Sequence, residues 1–383
     1  MKDLKPDLQH RKQQGLYRSR KIVQSPQGRE IIINDQRLLN FCSNDYLGLA
    51  NHPDIKRAFI NATEKYGVGS GSAHLVNGHT HAHHALEETL ADFCGYPRAL
   101  LFSTGYMANL GVAQSLYSKK DCIIEDKLNH ASLLDAANIC QAKLVRFAHK
   151  DDAHLKNKLN DNDGNEKLVS SDAVFSMDGD EANISNLIQL CKPHTARLML
   201  DDAHGFGVLG KDGRGSLNHQ KINTHDVPIY MATLGKALGT AGAFIAGSDD
   251  LIETLIQSAR CYIYTTAMPA AIAEASRVSL QLLVKENWRQ QSLQNNIHYF
   301  KSLAAQASLN LLNSNTAIQP IIIGDAQRAA NISQQLFENG FHVAAIRPPT
   351  VPNNTSRLRV TLRADHTEKD IEALVDAIIK STS

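Results

Sequence analysis

The sequence has no surplus of either charge. Forty Lys and Arg against 39 Asp and Glu leave a formal net charge of +1 over 383 residues. A chain so balanced projects no long-range field toward a nucleic-acid backbone or an anionic membrane, and neither is expected as a partner; a local pocket for a small anion remains open to it. It also lacks any apolar run near the ~18 residues of a membrane span. The basic N-terminal stretch MKDLKPDLQHRKQQG is followed by no apolar segment, so no secretory signal is expected. There is no CxxC pair. The six cysteines at positions 42, 94, 122, 140, 191 and 261 are scattered, and they read as reduced thiols of a cytoplasmic protein rather than a disulfide framework. Internal repeats are absent too. What is present is an ordinary globular mixture, 43% hydrophobic and 21% charged. At roughly 150 residues per domain, its length suggests two or three domains.

Through the middle of the chain, short apolar or β-branched runs alternate with amphipathic stretches. Strands are expected at Arg98–Phe102, Asp121–Glu125, Lys143–Ala148, within Lys167–Ser176, and at Arg197–Leu200, Pro228–Thr233 and Ala243–Ala246. Helices are expected between the earlier ones, beginning near Gly105, Ala131, Asp151 and Ile184. This alternation implies βαβ crossovers and a mostly parallel sheet covered on both faces. Residues 249–308 read as helical, interrupted by Pro269. The tail reads as strands near 318–323, 342–346 and 358–362, a helix at about 325–339, and a last helix opened by Thr367-Glu368-Lys369-Asp370. This is the pattern of a large α/β domain followed by a small α+β one.

In open parallel sheets, ligands gather where strand carboxyl ends meet helix N-termini. The polar residues of this chain concentrate there. Ser103-Thr104-Gly105-Tyr106 could cradle a phosphate, and Asn129-His130-Ala131-Ser132 places an imidazole at the same rim. Asp201-Asp202-Ala203-His204 sets an acid, costly to bury without a cation or donor, at the end of a strand. Thr233-Leu234-Gly235-Lys236 ends another strand with a lysine, a candidate Schiff-base nucleophile. Each motif has a bland reading alone, as a turn, a cap or a solvated side chain. Four of them on successive strand ends are harder to dismiss.

Three other motifs are set aside. Gly205–Gly210 matches GxGxxG but is followed by Lys-Asp-Gly-Arg-Gly instead of a helix. Gly235-Lys236 lacks Walker spacing, since Tyr230 and Ala237 occupy the required positions. The histidines between His79 and His84 run into a helical stretch and read as a solvated helix start rather than a metal site.

Phe41-Cys42-Ser43-Asn44-Asp45-Tyr46-Leu47-Gly48-Leu49, Phe175-Ser176-Met177-Asp178-Gly179-Asp180, Asp201-Asp202-Ala203-His204-Gly205 and Thr233-Leu234-Gly235-Lys236 resemble the α-oxoamine synthases, and occur in that family's order from about residue 16 to residue 366. The resemblance implies the type I fold of pyridoxal-phosphate transferases. It implies an N-terminal segment over 1–48, a large cofactor-binding domain over 49–285 and a small domain over 286–383. Within the family, Ile346-Arg347-Pro348-Pro349-Thr350-Val351-Pro352, Arg357-Leu358-Arg359 and Leu16-Tyr17-Arg18 are most similar to the branch that condenses L-alanine with pimeloyl-CoA or a pimeloyl-carrier protein, releasing CO2, on the way to biotin. The sister branches that use glycine or serine with other acyl thioesters remain the alternative.

The resemblance also implies roles. Lys236 would hold pyridoxal phosphate covalently, Asp201 would pair with its pyridine nitrogen, His204 with its phenolic oxygen, and His130 would stack on the ring. Gly105, Tyr106, Ser176 and Thr233 would complete the cradle. Thr265 and Thr266 would reach a phosphate across the two-fold axis of a homodimer. Arg359 would clamp the amino-acid carboxylate, with Asn44, Arg18 and Thr350 also on the substrate side; no metal is implied. Two departures stand out. Asp172 occupies a position where the family commonly has Glu, and Phe206 replaces a smaller polar residue and is expected to tighten the pocket wall.

Overall fold

A computed structural model describes residues 3–13 and 16–382. The chain divides into two compact units, one made of residues 49–176 and 181–290, the other of 1–48, 177–180 and 291–383. The first 48 residues therefore do not stand as a segment of their own but cluster with the C-terminal residues.

The larger unit is built on a seven-stranded sheet. Its spatial order is Arg98–Phe102, Ala243–Gly247, Ile229–Thr233, Arg197–Asp201, Lys167–Asp172, Cys122–Asp126 and Lys143–Phe147. Only Ala243–Gly247 runs against its neighbours; the remaining pairings are parallel. The strands Cys122–Asp126 and Ala243–Gly247 are buried along their whole length, as a sheet sandwiched between helices requires. One apolar cluster joins Leu100, Ile123, Leu168, Met199, Ile229 and Ile245 of the sheet to Val112 and Leu133 of the covering helices. The helical stretch expected over 249–308 is four helices, Asp249–Ser258, Arg260–Ile263, Ala270–Lys285 and Trp288–Gln306. Pro269 is the N-cap of the third, since it can begin a helix but not continue one from before.

The smaller unit holds two three-stranded sheets and the C-terminal helix Glu368–Thr382. In the hairpin Glu30–Ile33/Gln36–Asn40, Asn34 and Asp35 both take positive φ, the conformation of a tight two-residue hairpin turn. The tail strand expected over 342–346 is two strands in different sheets. Phe341–His342 pairs with Gln36–Asn40, whereas Ala344–Ile346 pairs with Ser356–Thr361. The final helix is capped reciprocally, the Thr367 N–H donating to Asp370 and the Asp370 N–H to the Thr367 hydroxyl.

The histidine-rich stretch starts a helix and exposes His81 and His84, but it is not solvated throughout. His83 is fully buried. With Thr80 it forms a capping box at the start of His81–Cys94, its Nδ1 accepting from the Thr80 N–H at 3.0 Å and its Nε2 donating to the Met268 carbonyl at 2.7 Å. Nearby, burial first, then His83 and His79, push His74 down to about 3, so that its ring is neutral. Burial also pushes the Glu87 carboxyl up to about 8.

Candidate active site

Five strand ends of the large sheet bring the chemistry together. Lys167–Asp172 and Arg197–Asp201 pair in parallel with Asp172 opposite Asp201, and Asp201 lies opposite Met231 on the next strand. A cavity of about 180 Å³ opens above these ends. Its wall holds Gly105, Tyr106, His130, Ser176, Asp201, His204, Thr233 and Lys236, together with Asp172 and Ser132. Every cofactor residue expected from the sequence is therefore here except Thr265 and Thr266.

Asp201 is buried, its Oδ1 accepting from the Ala203 N–H at 3.0 Å and its Oδ2 from the Asn109 amide at 2.9 Å. The same Asn109 nitrogen lies 2.8 Å from the Ser132 hydroxyl oxygen, which is 2.7 Å from His130 Nδ1. The Ser132 N–H also points at that nitrogen, at 3.3 Å. His130 Nδ1 is thus an acceptor, which leaves the ring proton on Nε2. Partial desolvation is the main cause lowering the His130 pKa, with Lys236 acting in the same direction and Asp201 opposing it. Sequence reasoning missed Asn109 and Ser132, although Asn109 sits one helical turn after Gly105 and Ser132 two residues after His130.

Lys236 is half-buried, its Nζ 2.9 Å from His204 Nε2. Asp202, beside Asp201, faces the other way. It is fully buried and accepts from the Ser216 N–H and hydroxyl at 2.7 and 2.6 Å and from the Tyr230 hydroxyl at 2.8 Å. It anchors the acidic turn and leaves Asp201 to the cavity. Asp172 is buried and accepts from the His130 N–H at 3.3 Å. Burial, then the neighbouring Asp201 charge, push its carboxyl well above the usual carboxylate range.

Opposite the acids, the helix Gly105–Leu116 begins with Thr104 as N-cap, accepting from the Met107 N–H at 3.2 Å. Its first N–H groups have no partner within the helix and carry the positive end of its dipole. A Cβ on Gly105 would lie 2.9 Å from the Thr233 methyl, so glycine is needed to keep this cradle open. Phe206 does not tighten the cavity wall. It is buried in the core, edge-on to Phe93 and Phe244 at ring separations of 5.7 and 5.2 Å.

In the smaller unit, Arg359 is buried on the strand Ser356–Thr361. Its guanidinium donates to the Thr361 hydroxyl at 3.0 Å and to Asn44 Oδ1 at 3.3 and 3.4 Å, which brings the two expected substrate residues together. Arg18 and Thr350 are exposed and lie outside helices and strands. Thr265 and Thr266 follow the helix Arg260–Ile263, Thr266 bridging to Ala73.

The donor set suits pyridoxal phosphate. An amine lies beside an imidazole, a buried carboxylate is held in place by two donors, and a glycine-opened helix N-terminus is ready for an anion.

Residues 36–378 match the family model for aminotransferase class I and II. The 8-amino-7-oxononanoate synthase of Thioalkalivibrio sulfidiphilus is 52% identical over 382 residues, covering 100% of this chain and 97% of the relative. That of Saccharophagus degradans is 51% identical, covering 98% and 95%. Among solved structures, the 8-amino-7-oxononanoate synthase of Francisella tularensis superposes with a TM-score of 0.80 at 35% identity, over 90% of this chain and 97% of that one. A serine palmitoyltransferase from S. paucimobilis with bound PLP superposes with a TM-score of 0.93 at 28% identity, over 99% and 96%.

Proposed function

Because this chain belongs to the aminotransferase class I and II family, and within it to the 8-amino-7-oxononanoate synthases, we infer that it condenses L-alanine with a pimeloyl thioester. The products are 8-amino-7-oxononanoate, CO2 and the free thiol, in biotin biosynthesis. The observation that carries this reading is the convergence of Lys236, His204, Asp201 and His130 on one cavity at the carboxyl ends of parallel strands. When bound, pyridoxal phosphate supplies an electron sink that stabilises carbanion character at the alanine Cα, both for attack on the thioester carbonyl and for loss of CO2.

Each residue then has a task. Lys236 would hold the cofactor through Nζ, and the same amine is placed to take and return the alanine Cα proton. His204, hydrogen-bonded to Nζ, orients the amine. Asp201 would keep a proton on the pyridine nitrogen, and Asn109 keeps Asp201 aimed. His130, held by Ser132, would cover the ring face. Gly105, Tyr106, Ser176 and Thr233 would hold the phosphate end.

Arg359 binds the alanine carboxylate, and Asn44 holds the guanidinium in place for it. A planar cation grips a carboxylate at two points. Arg359→Ala is expected to raise the KM for L-alanine about ten- to a hundredfold, the loss of a charged hydrogen-bonded pair worth about 1.5–3 kcal/mol. Steady-state kinetics with varied alanine would show it; an unchanged KM would move the clamp elsewhere. Arg18 and Thr350 act on the acyl side, where the distal carboxylate of a pimeloyl chain needs a cation or a hydroxyl. Arg18→Ala should weaken the pimeloyl thioester about tenfold or more while leaving the alanine KM unchanged, and pimeloyl kinetics equal to wild type would make Arg18 a surface residue only.

Assembly into a homodimer is part of the reading, with Thr265 and Thr266 serving the partner's phosphate. Tyr264 (71% exposed), Val76 (79%) and Leu75 lie beside the bridge between Ala73 and Thr266; such a cluster of exposed apolar side chains marks a contact surface. Six free cysteines and the lack, among the described residues, of a helix able to cross a membrane suit a cytoplasmic setting.

The function is tested by mass spectrometry of the products from L-alanine or glycine, each offered with pimeloyl-CoA, pimeloyl-carrier protein and acetyl-CoA. 8-Amino-7-oxononanoate from alanine is the expected product. Turnover confined to glycine with acetyl-CoA would assign the chain to a sister activity.

A further inference from the structure

His79, His84 and Glu87 lie away from the catalytic cavity, in the same unit, and have no part in the chemistry above. One ligand atom from each lies within 4.8 Å of those of the other two. They line a separate cavity of about 400 Å³, together with His74 and Tyr262. We propose that this cluster is a binding site for a divalent transition metal, best suited to zinc, with one ring nitrogen each from His79 and His84 and the Glu87 carboxylate as ligands and a fourth position open to water.

The hydrogen bonds decide which lone pairs are available. His83 is not a ligand. Its Nδ1 accepts from the Thr80 N–H and its Nε2 donates to the Met268 carbonyl, so neither nitrogen is left over. His74 and His79 face each other through their Nδ1 atoms at 3.0 Å, a contact that holds only one proton. With that proton on His79, Nε2 of the same ring carries the lone pair. That Nε2 lies 3.9 Å from Glu87 Oε2. The other Glu87 oxygen is engaged by the Leu101 N–H at 2.9 Å, which leaves Oε2 turned toward the imidazole. Two donor atoms facing each other from a half-buried wall share a proton on the buried Glu87 carboxyl when the site is empty, and a metal cation can take that proton's place between them.

His74 then acts as the outer partner that fixes the tautomer and ring of His79, as a metal-bound histidine requires. Its own ring is held by stacking on Tyr262, at 4.9 Å and 11° between planes. His84 and Glu87 stand three residues apart on the helix His81–Cys94 and so share a face. Tetrahedral zinc with N and O ligands at about 2.0–2.2 Å places ligand atoms roughly 3.3–3.6 Å apart. The His79–Glu87 gap is already near that. Any remaining closure falls to His84, whose side chain is 61% exposed, 3.4 Å from Glu88 at an ion-pair distance and edge-on to the His79 ring at 5.9 Å. Two imidazoles and one carboxylate form a borderline ligand set that favours zinc over calcium or magnesium.

The test uses the cofactor-loaded enzyme, stripped with chelator and titrated with Co2+ as a spectroscopic stand-in for zinc, then with Zn2+ in competition. The expected result is one Co2+ per chain with visible d–d bands and no near-ultraviolet thiolate band, displaced by Zn2+. His84→Ala, at an exposed position, should weaken binding at least tenfold, and His74→Phe, which keeps the stack on Tyr262 but removes the acceptor, about ten- to a hundredfold. Absence of stoichiometric binding would overturn the proposal. So would a site with thiolate bands, or one whose affinity is the same in His84→Ala, since the metal would then sit elsewhere on the chain. Metal content is read independently of turnover, so the outcome does not depend on the condensation activity.

Discussion

Lys236→Ala is expected to abolish turnover, by about 10⁴-fold or more. Proton transfer by a positioned base alone contributes about 10²–10⁴, and the same substitution removes the covalent attachment point of the cofactor. No neighbour can take over both tasks. His204, 2.9 Å from Nζ, is at hydrogen-bond distance from the amine, but an imidazole cannot form the covalent link. The fold should survive, because Lys236 is half-buried at a strand-end loop and carries no core packing. Borohydride reduction of the wild-type enzyme, followed by peptide mass spectrometry, should leave a phosphopyridoxyl group on the peptide containing Lys236. Recovery of the group on another lysine, or residual turnover within a hundredfold of wild type in Lys236→Ala, would reassign the nucleophile.

Asp201→Asn should lower kcat by about 10²–10³-fold, the scale of removing one preorganised electrostatic partner from a water-poor site, with cofactor retention much less affected. The substitution is nearly isosteric. It removes the charge that keeps a proton on the pyridine nitrogen and leaves the side chain in contact with the Ala203 N–H. The Asn109 contact is more vulnerable, since an amide at position 201 can turn its NH2 toward the Asn109 NH2. The measurement is exchange of the alanine Cα proton in D2O, followed by NMR, beside the cofactor content of the purified variant. Exchange at the wild-type rate would place the electronic role elsewhere; loss of cofactor in step with activity would make Asp201 a binding residue only. Asp172 sharpens this prediction. Since burial and Asp201 together push the Asp172 carboxyl up, neutralising position 201 relieves one of those causes, so the negative charge can move to Asp172 without reaching the same atom.

Much of this site is legible in the sequence because it lies at the ends of apolar runs. Asp201, Thr233 and His130 each follow or end a strand whose residues can only be buried, and a polar group at such a boundary has few places to go but the rim. The same reasoning finds Gly105, where a strand turns directly into a helix. It does not find Asn109, which lies inside a helix and meets Asp201 across 92 positions of sequence. Nor does it find the division of labour between Asp201 and Asp202, since adjacent strand-end residues point to opposite sides and the choice depends on Ser216 and Tyr230. Phe206 lies away from its expected place for a related reason. Its position after the acidic turn suggests the pocket, whereas its ring finds two aromatic partners in the core. The histidine stretch departs from expectation at His83, for polar residues in a row suggest solvent, but a capping imidazole can be buried when both its nitrogens are bonded. In the tail, one apolar run divides between two sheets, a switch that periodicity along the chain does not register.

The parallel pairing of Gln36–Asn40 with Phe341–His342 joins strands some 300 residues apart. On the ribosome, the hairpin is made well before the strand that completes its sheet. At about 5–20 residues per second, that is about 15–60 s of synthesis during which one hairpin edge is open to other chains. The seven-stranded sheet waits about half as long, since its first strand, Arg98–Phe102, pairs with Ala243–Gly247. Its last strand ends at Gly247, so the catalytic half can close while the remainder is still being translated. Nascent molecules crowded on one message are therefore most exposed to mispairing at this hairpin. Expression at lower temperature, or with a chaperone that shields extended segments, acts on this window and not on the finished enzyme.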